Sequence, residues 1–484
     1  MSPGRPRVIV IIGAGFSGTV LATHLLRLLP PVPTRIVLVE RDATGGGGVA
    51  YGPHSAAYLL NVPAGRMSAF TDDSAHLVRF AQRHLPAADA ETYLPRRLYG
   101  EYLSELLVGA RASAAAGVSL EQLRGEASSI YSVDAEGPVI VSVGTRQLLA
   151  DQVVLACGDP AGASRSYAKD LGTHPAYILH PYQQPVFQPS DRAALLIGSG
   201  LTMADVAAVA STQYPALRIV AISRHGLLPR RQAAATTPLL PATLQLGTRL
   251  IGQPLRAMVH SVRQLIASVE EQGGDWREVI GRIREIIPQI WQRLSVADRR
   301  RFLRHVRIHW DVHRHRMPPA TADRMQELLQ SGLLTLRAGS VVQLCPDGER
   351  IVALWRPRGR YELQELWVDR VVECSGADQR LPRTAEPLWK QLLGDGVVTP
   401  DPNGIGIHTG AHGALIDAHG RASTRLFYLG PMLRAAHWEA TAVGELRVHA
   451  RELAAALASV DRHPRARTRA LEHMDMSAAT GQLT

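Results

Sequence analysis

The strongest constraint on the fold of this chain is the run Val8-Ile9-Val10-Ile11-Ile12-Gly13-Ala14-Gly15-Phe16-Ser17-Gly18. An uninterrupted stretch of Val and Ile suits a strand buried on both faces of a parallel sheet. Gly13-x-Gly15-x-x-Gly18 then permits a sharp turn, a close approach of backbone to a pyrophosphate and tight packing of the next helix, whose positive end faces the phosphates. A second apolar strand, Arg35-Ile36-Val37-Leu38-Val39, ends in Glu40. A carboxylate at the end of that strand, about 20 residues beyond the glycines, accepts hydrogen bonds from a ribose. Strand, turn, helix, strand and acid in this order predict a dinucleotide site built on Gly13, Gly15, Gly18 and Glu40.

The pattern recurs. Ala194-Leu195-Leu196-Ile197 feeds Gly198-Ser199-Gly200-Leu201-Thr202-Met203, with Met203 where the third glycine would stand, which predicts looser packing of helix on strand. The following strand, Arg218 to Ile222, ends in Ser223-Arg224-His225 where a carboxylate would favour NAD. Arg224 there either holds a 2′-phosphate, which favours NADPH, or is a solvated loop cation. Two further strands end alike, in Ala156-Cys157-Gly158-Asp159 and Cys374-Ser375-Gly376-Ala377-Asp378, as expected of a chain that crosses between two nucleotide domains.

Between these units the sequence changes character. Ala43 to Gly52 is too rich in glycine for a helix, and Tyr58 to Ser68 reads either as a buried loop or as the lining of a flavin or substrate pocket. Residues 74–115 read as helical, and alternation near 130–148 predicts a small antiparallel sheet. Residues 245–335 interrupt the α/β rhythm with helices, one opened by a capping box at Ser295-Val296-Ala297-Asp298. His305, His309 and His313 have one-turn spacing, but no cysteine accompanies them and arginines crowd the run, so a cationic surface near a ligand is expected in preference to a metal site. A short strand ending at Leu429-Gly430-Pro431 precedes an expected helix beginning near Ala435. The predicted fold class is therefore α/β, with two Rossmann-like dinucleotide-binding domains and a helical insert. Residues 1–188 and 381–460 form the first domain, 189–380 the second with the insert at 245–335, and 461–484 a tail.

Composition narrows the partners. The formal net charge is +10, but only Lys169 and Lys390 among 53 basic residues are lysine, and the arginines are spread along the chain without a polybasic tract. Anionic small ligands fit this better than nucleic acid. Three separated cysteines without a Cys-x-x-Cys pair argue against a disulfide framework, a zinc site and a dithiol reductase. No signal-peptide pattern and no apolar run of membrane-spanning length is present, so no membrane partner is expected and cytoplasm is the expected compartment.

These segments resemble the bacterial FAD/NAD(P)-binding flavoproteins with two dinucleotide-binding domains. That group includes an FAD-dependent urate hydroxylase, and it is more distantly similar to N-hydroxylating monooxygenases acting on amino acids. The marks are the two glycine turns, Tyr51-Gly52, Leu60-Asn61-Val62-Pro63-Ala64, Thr202-x-x-Asp205, Trp310-Asp311-Val312-His313-Arg314-His315-Arg316, and Leu429-Gly430-Pro431 with Trp438-Glu439; they run from Gly13 to about Arg451. The resemblance implies FAD on Gly13, Gly15, Gly18 and Glu40, with Asn61, Val62, Gly430 and Glu439 toward the flavin, and a nicotinamide cofactor on Gly198, Gly200 and Thr202. It implies an NAD(P)H-consuming monooxygenase that activates molecular oxygen as a flavin hydroperoxide. Urate, giving 5-hydroxyisourate in purine catabolism, is the first substrate expected, with Arg66, Arg314 and Arg316 as planar cationic partners for an anion. An amino-acid carboxylate suits the same arginines, which keeps N-hydroxylation open, as does an NAD(P)H-dependent flavin reductase without oxygen insertion. The basic loop at Arg224 favours NADPH, whereas resemblance to urate hydroxylases favours NADH; oligomeric state is left open.

Overall fold

A computed structural model describes residues 5–41, 47–52, 58–132, 137–159, 165–182, 185–233, 250–376 and 380–459. The expected loop residues 43–46 and the expected tail 461–484 lie outside the described residues.

The first apolar run forms the strand Arg7–Ile12, buried at every position. It lies inside a six-stranded sheet ordered Ala414–Ile416, Ala422–Tyr428, Gln152–Leu155, Arg7–Ile12, Thr34–Glu40 and Val118–Arg124. The pairings are parallel except at the edge hairpin formed by Ala414–Ile416 and Ala422–Tyr428. Ile11 stands between Leu38 and Val154, so the fingerprint turn opens at the carboxyl ends of three adjacent strands. In such sheets this edge is where ligands bind. Helix Phe16–Leu28 is covered in turn by Arg96–Ala112 and Val443–Ser459.

The second sheet has seven strands in the order Gln364–Val368, Arg350–Pro357, Leu334–Asp347, Arg218–Ser223, Ala193–Ile197, Arg370–Glu373 and Tyr177–Ile178. Its centre is parallel, and the three strands from Leu334 to Val368 are antiparallel. Tyr177 and Ile178 pair with Val371 and Val372, so the chain enters the second sheet ahead of residue 189. A third sheet, Ala127–Ser132, Val139–Val143 and Arg146–Ala150, matches the expected antiparallel unit.

The insert consists of helices Leu255–Glu271, Trp276–Arg293, Val296–Arg301 and Arg307–Arg314, with a π-helical turn at Phe302–Val306. Asp275 caps the second by accepting from Arg277 N, and Ser295 caps the third by accepting from Asp298 N. The insert has its own core around Val269, Val279, Ile283 and Trp291, into which Trp438 from the C-terminal part of the chain is plugged. Helix Pro319–Gln330, expected within the insert, packs Ala322, Met325 and Leu328 into the core of the second sheet. It is the crossover between parallel strands Arg218–Ser223 and Leu334–Asp347, so the inserted body ends near Arg314. No helix of the described residues is long and apolar enough to cross a membrane.

Candidate active site

The two glycine turns are built alike. Gly13 has φ 104°, and a Cβ there would lie 2.6 Å from the carbonyl oxygen of Ala156; Gly198 has φ 114°, and its Cβ would lie 2.5 Å from that of Cys374. Each first glycine thus backs onto the end of the neighbouring strand, which explains the repeated strand endings around Cys157 and Cys374. Cys374 is buried and Cys157 half-buried, and desolvation pushes the Cys157 thiol up to about 12, which keeps it protonated and inert.

The second glycines have a different task. A Cβ on Gly15 would meet only Gly48 Cα, at 4.0 Å, and one on Gly200 would meet nothing within 4 Å. Gly15 and Gly200 precede helices Phe16–Leu28 and Leu201–Gln213, and no side chain caps either end. First-turn N–H groups therefore point into open space with the positive end of the helix behind them, an arrangement that fits a pyrophosphate. Gly18 is required for packing instead, since a Cβ there would fall 1.9 Å from Gly13 O. At the corresponding place Met203 is fully buried in the second core, which accounts for the missing third glycine.

Glu40 closes the first site. Its Oε2 accepts from Ala14 N at 2.7 Å and its Oε1 from Arg41 N at 2.9 Å, which fixes a carboxylate at the edge of the glycine turn. A cleft of about 1400 Å³ runs from Gly13, Gly15 and Glu40 past Tyr51 to Thr202 and Glu373 of the second unit. Single small ligands occupy roughly 300–1000 Å³, so this cleft has room for more than one. In the second unit Arg224 is exposed on a loop braced by Ser223 Oγ, which accepts from Gly226 N at 3.0 Å. Arg358, from the loop after strand Arg350–Pro357, brings its Nη1 to 3.1 Å from His225 Nδ1 and adds a second cation there. Sequence reasoning missed Arg358 because its strand hairpin is distant in the chain.

The segment expected to face the flavin is pinned to the loop before helix Arg96–Ala112: Leu60 N donates to Leu94 O, Ala64 N to Thr92 O and Gly65 N to Ala90 O. Asn61 and Val62 are half-buried in it, and Arg66 is exposed at its end in a 3₁₀ turn. Gly430 lies where a Cβ would come within 2.6 Å of the Tyr428 hydroxyl, which donates to Gly158 O and accepts from Met432 N. The expected helix after Gly430 is instead a 3₁₀ turn at Pro431–Ala435, and the α-helix starts at Val443. Trp291 Nε1 donates to Ala435 O at the end of the 3₁₀ turn. Pro431, Thr441 and Val443 line the cleft.

Glu439 and Arg314, far apart in sequence, form a buried pair. Glu439 Oε2 accepts from Arg314 Nε at 2.8 Å and Oε1 from Trp310 Nε1 at 3.1 Å; the two charged side chains are 5 % and 11 % exposed. Arg316, two residues on, lies with its guanidinium over the Trp276 ring, and its buried Nε has no acceptor among the described residues. Burial, followed by repulsion from Arg314 and Arg277, pushes Arg316 down to about 10. The histidine run does not converge: His313 Nδ1 donates to His309 O, and no group of three metal-ligating side chains occurs among the described residues.

A second buried pair was not anticipated. Arg96, from the first unit, reaches Asp205 of helix Leu201–Gln213 at 3.0 Å, and the Tyr182 hydroxyl donates to the same carboxylate at 2.8 Å. Burial pushes Asp205 upward against the pull of Arg96. Its signal was present in Thr202-x-x-Asp205, but the partner lies 109 residues away.

Residues 10–160 match the FAD-NAD(P)-binding family. The fold is that of the two-domain FAD/NAD(P) flavoproteins. Over nearly its whole length the chain is similar to ornithine hydroxylase from Pseudomonas aeruginosa, with a TM-score of 0.62 at 14 % identity, covering 93 % of this chain and 98 % of that one. It is also similar to the ornithine N-hydroxylase of Kutzneria sp. 744, whose structure is of a complex with reduced FAD, NADP⁺ and L-ornithine, with a TM-score of 0.56 at 16 % identity over 93 % and 98 % of the two chains. In sequence, an uncharacterized protein of Mycobacterium bovis is 22 % identical over 514 residues, covering 93 % of this chain and 95 % of that one.

Proposed function

We propose that this chain is an FAD-dependent monooxygenase that consumes NADPH and N-hydroxylates a small amine. The observation that carries this reading is that Gly13 and Gly15 of one nucleotide turn and Thr202 of the other line a single cleft. Two cofactor sites opening into one space serve hydride transfer between them. FAD, when bound, supplies hydride acceptance and oxygen activation.

The residues of the chain bind, orient and exclude water. Gly15 and the uncapped start of helix Phe16–Leu28 hold the FAD pyrophosphate, and Glu40 the adenine-side ribose. Gly198, Gly200 and Thr202 serve the nicotinamide cofactor in the same way, with Arg224 and Arg358 at the 2′-phosphate. The buried rings of Tyr99 and Tyr102 and half-buried Tyr51 close the wall of the first site against water. One oxygen atom of O₂ enters the new N–O bond and the other leaves as water, while NADPH and one proton supply two electrons and the hydrogens.

Urate, the substrate first suggested by resemblance, is replaced by an amine in this reading because the full-length likeness is to ornithine hydroxylases. The test is NADPH and NADH oxidation by the FAD-loaded protein in air with a panel of amines and with urate, following hydroxylamine and peroxide. Hydroxylamine formed one-for-one with NADPH is expected. Peroxide matching NADPH with every amine would make the protein a flavin reductase, and urate consumption would restore the purine reading.

A further inference from the structure

At one place three parts of the chain bring arginines together. Arg66 ends the loop of the first unit, Arg277 opens insert helix Trp276–Arg293, and Arg314 and Arg316 close the insert. The second unit contributes Gln232, beside Tyr93, and its backbone ties the group together: Met317 N donates to Arg230 O and Gln232 N to Met317 O. Exposed Glu91 lies on the rim beside Tyr93.

The carboxylates beside these arginines are paired with them or with a neighbour. Asp275 pairs with Arg277, Glu439 with Arg314, and Glu445 with Arg284 behind them. Arg316 and Arg66 are left with no hydrogen bond or ion pair to their guanidinium groups among the described residues. A half-buried guanidinium held over an indole with its Nε unpaired is costly unless an anion completes it.

We propose that this cluster is the substrate's recognition site and that the substrate carries two acidic groups, as in an amino dicarboxylate or a phosphorylated amino acid. This rests on the N-hydroxylase reading above. One acidic group would meet Arg316 and leave Arg66 to solvent, whereas a second would engage Arg66 as well; a diamine or diamino acid would bring a further positive charge to a site whose carboxylates, Asp275 and Glu439, are already paired. Trp276, flanked by Arg277 and Arg316, supplies a flat apolar wall for the carbon skeleton.

Binding to the FAD-loaded protein would be measured by calorimetry with L-aspartate, L-glutamate and O-phosphoserine against L-ornithine, L-lysine, cadaverine and urate, and turnover measured separately as hydroxylamine. At least one dianionic probe is expected to bind more tightly than every cationic one. Arg316→Gln and Arg66→Gln should each weaken it about 10- to 100-fold, with Arg316→Lys restoring part of the loss. Unchanged melting and flavin content in Arg66→Gln, an exposed position, separates lost recognition from lost folding. Tighter binding of ornithine, lysine, cadaverine or urate, no binding of any dianionic probe, or dianion binding indifferent to both variants would overturn the site. Arginine-dependent dianion binding with peroxide as the sole oxygen product would keep the site and remove the N-hydroxylase reading.

Discussion

Replacing Glu439 by Ala removes both acceptors that hold Arg314 and Trp310 in place. The guanidinium, 11 % exposed, would then be buried with no counter-charge. Breaking a buried pair in this way costs about 3–5 kcal/mol, whereas replacing both partners by apolar residues of similar volume is close to neutral. Glu439→Gln keeps a neutral acceptor and should cost less than Glu439→Ala. The assay is urea unfolding followed by tryptophan fluorescence, well placed because Trp291, Trp310 and Trp438 all belong to the insert core around this contact. The expected order is Glu439→Ala least stable and the double variant Arg314→Met/Glu439→Leu near wild type, a coupling that a double-mutant cycle isolates. A double variant as unstable as Glu439→Ala would refute the reasoning, because the loss would then lie in packing and not in an uncompensated charge. Since both carboxylate oxygens are engaged by protein donors, Glu439→Gln should retain its FAD.

Three further outcomes are expected. Gly15→Ala should fold and melt normally but lose flavin absorbance, whereas Gly18→Ala, with its Cβ 1.9 Å from Gly13 O, should lower the melting temperature as well; equal behaviour of the two would contradict the separate tasks assigned to them. Arg224→Asp and Arg358→Gln should each raise KM for NADPH about tenfold while leaving KM for NADH nearly unchanged, and a parallel change in both would place these arginines away from the 2′-phosphate. His24 is held down to about 4 by burial, with Arg27 adding to it, and His449 to about 4 by burial, with His437 adding to it. The unfolded state therefore binds more protons between about pH 6.5 and 4, and stability should fall through that window by up to about 1.4 kcal/mol per pH unit for each group; His24→Asn should flatten the slope, and an unaltered slope would exclude His24 as a source.

What could be read from the sequence was local. Gly13, Gly15, Gly18 and Glu40 were legible because each meets a constraint set by residues within one strand-turn-helix-strand unit, and Ser295 because a cap acts on its own helix. Helix Pro319–Gln330 was legible as a helix but not as a crossover, since only its packing on the second sheet distinguishes the two. The 3₁₀ turn at Pro431–Ala435, in place of the expected helix, ends on a carbonyl held by an indole 144 residues away, a contact that only the folded chain brings about. Arg316 was legible as a cation, but its lack of a partner is a property of the assembled neighbourhood.

The contact between Arg96 and Asp205 has a mechanical consequence. It is a bolt between the two nucleotide units, with both heads sheltered from water at 12 % and 7 % exposure. Removing either head alone would leave the other charge buried without its partner, at a cost of about 3–5 kcal/mol. The bolt thus acts as a latch on the seam: while it is closed the two glycine turns share one cleft, and opening it would release both heads to water together.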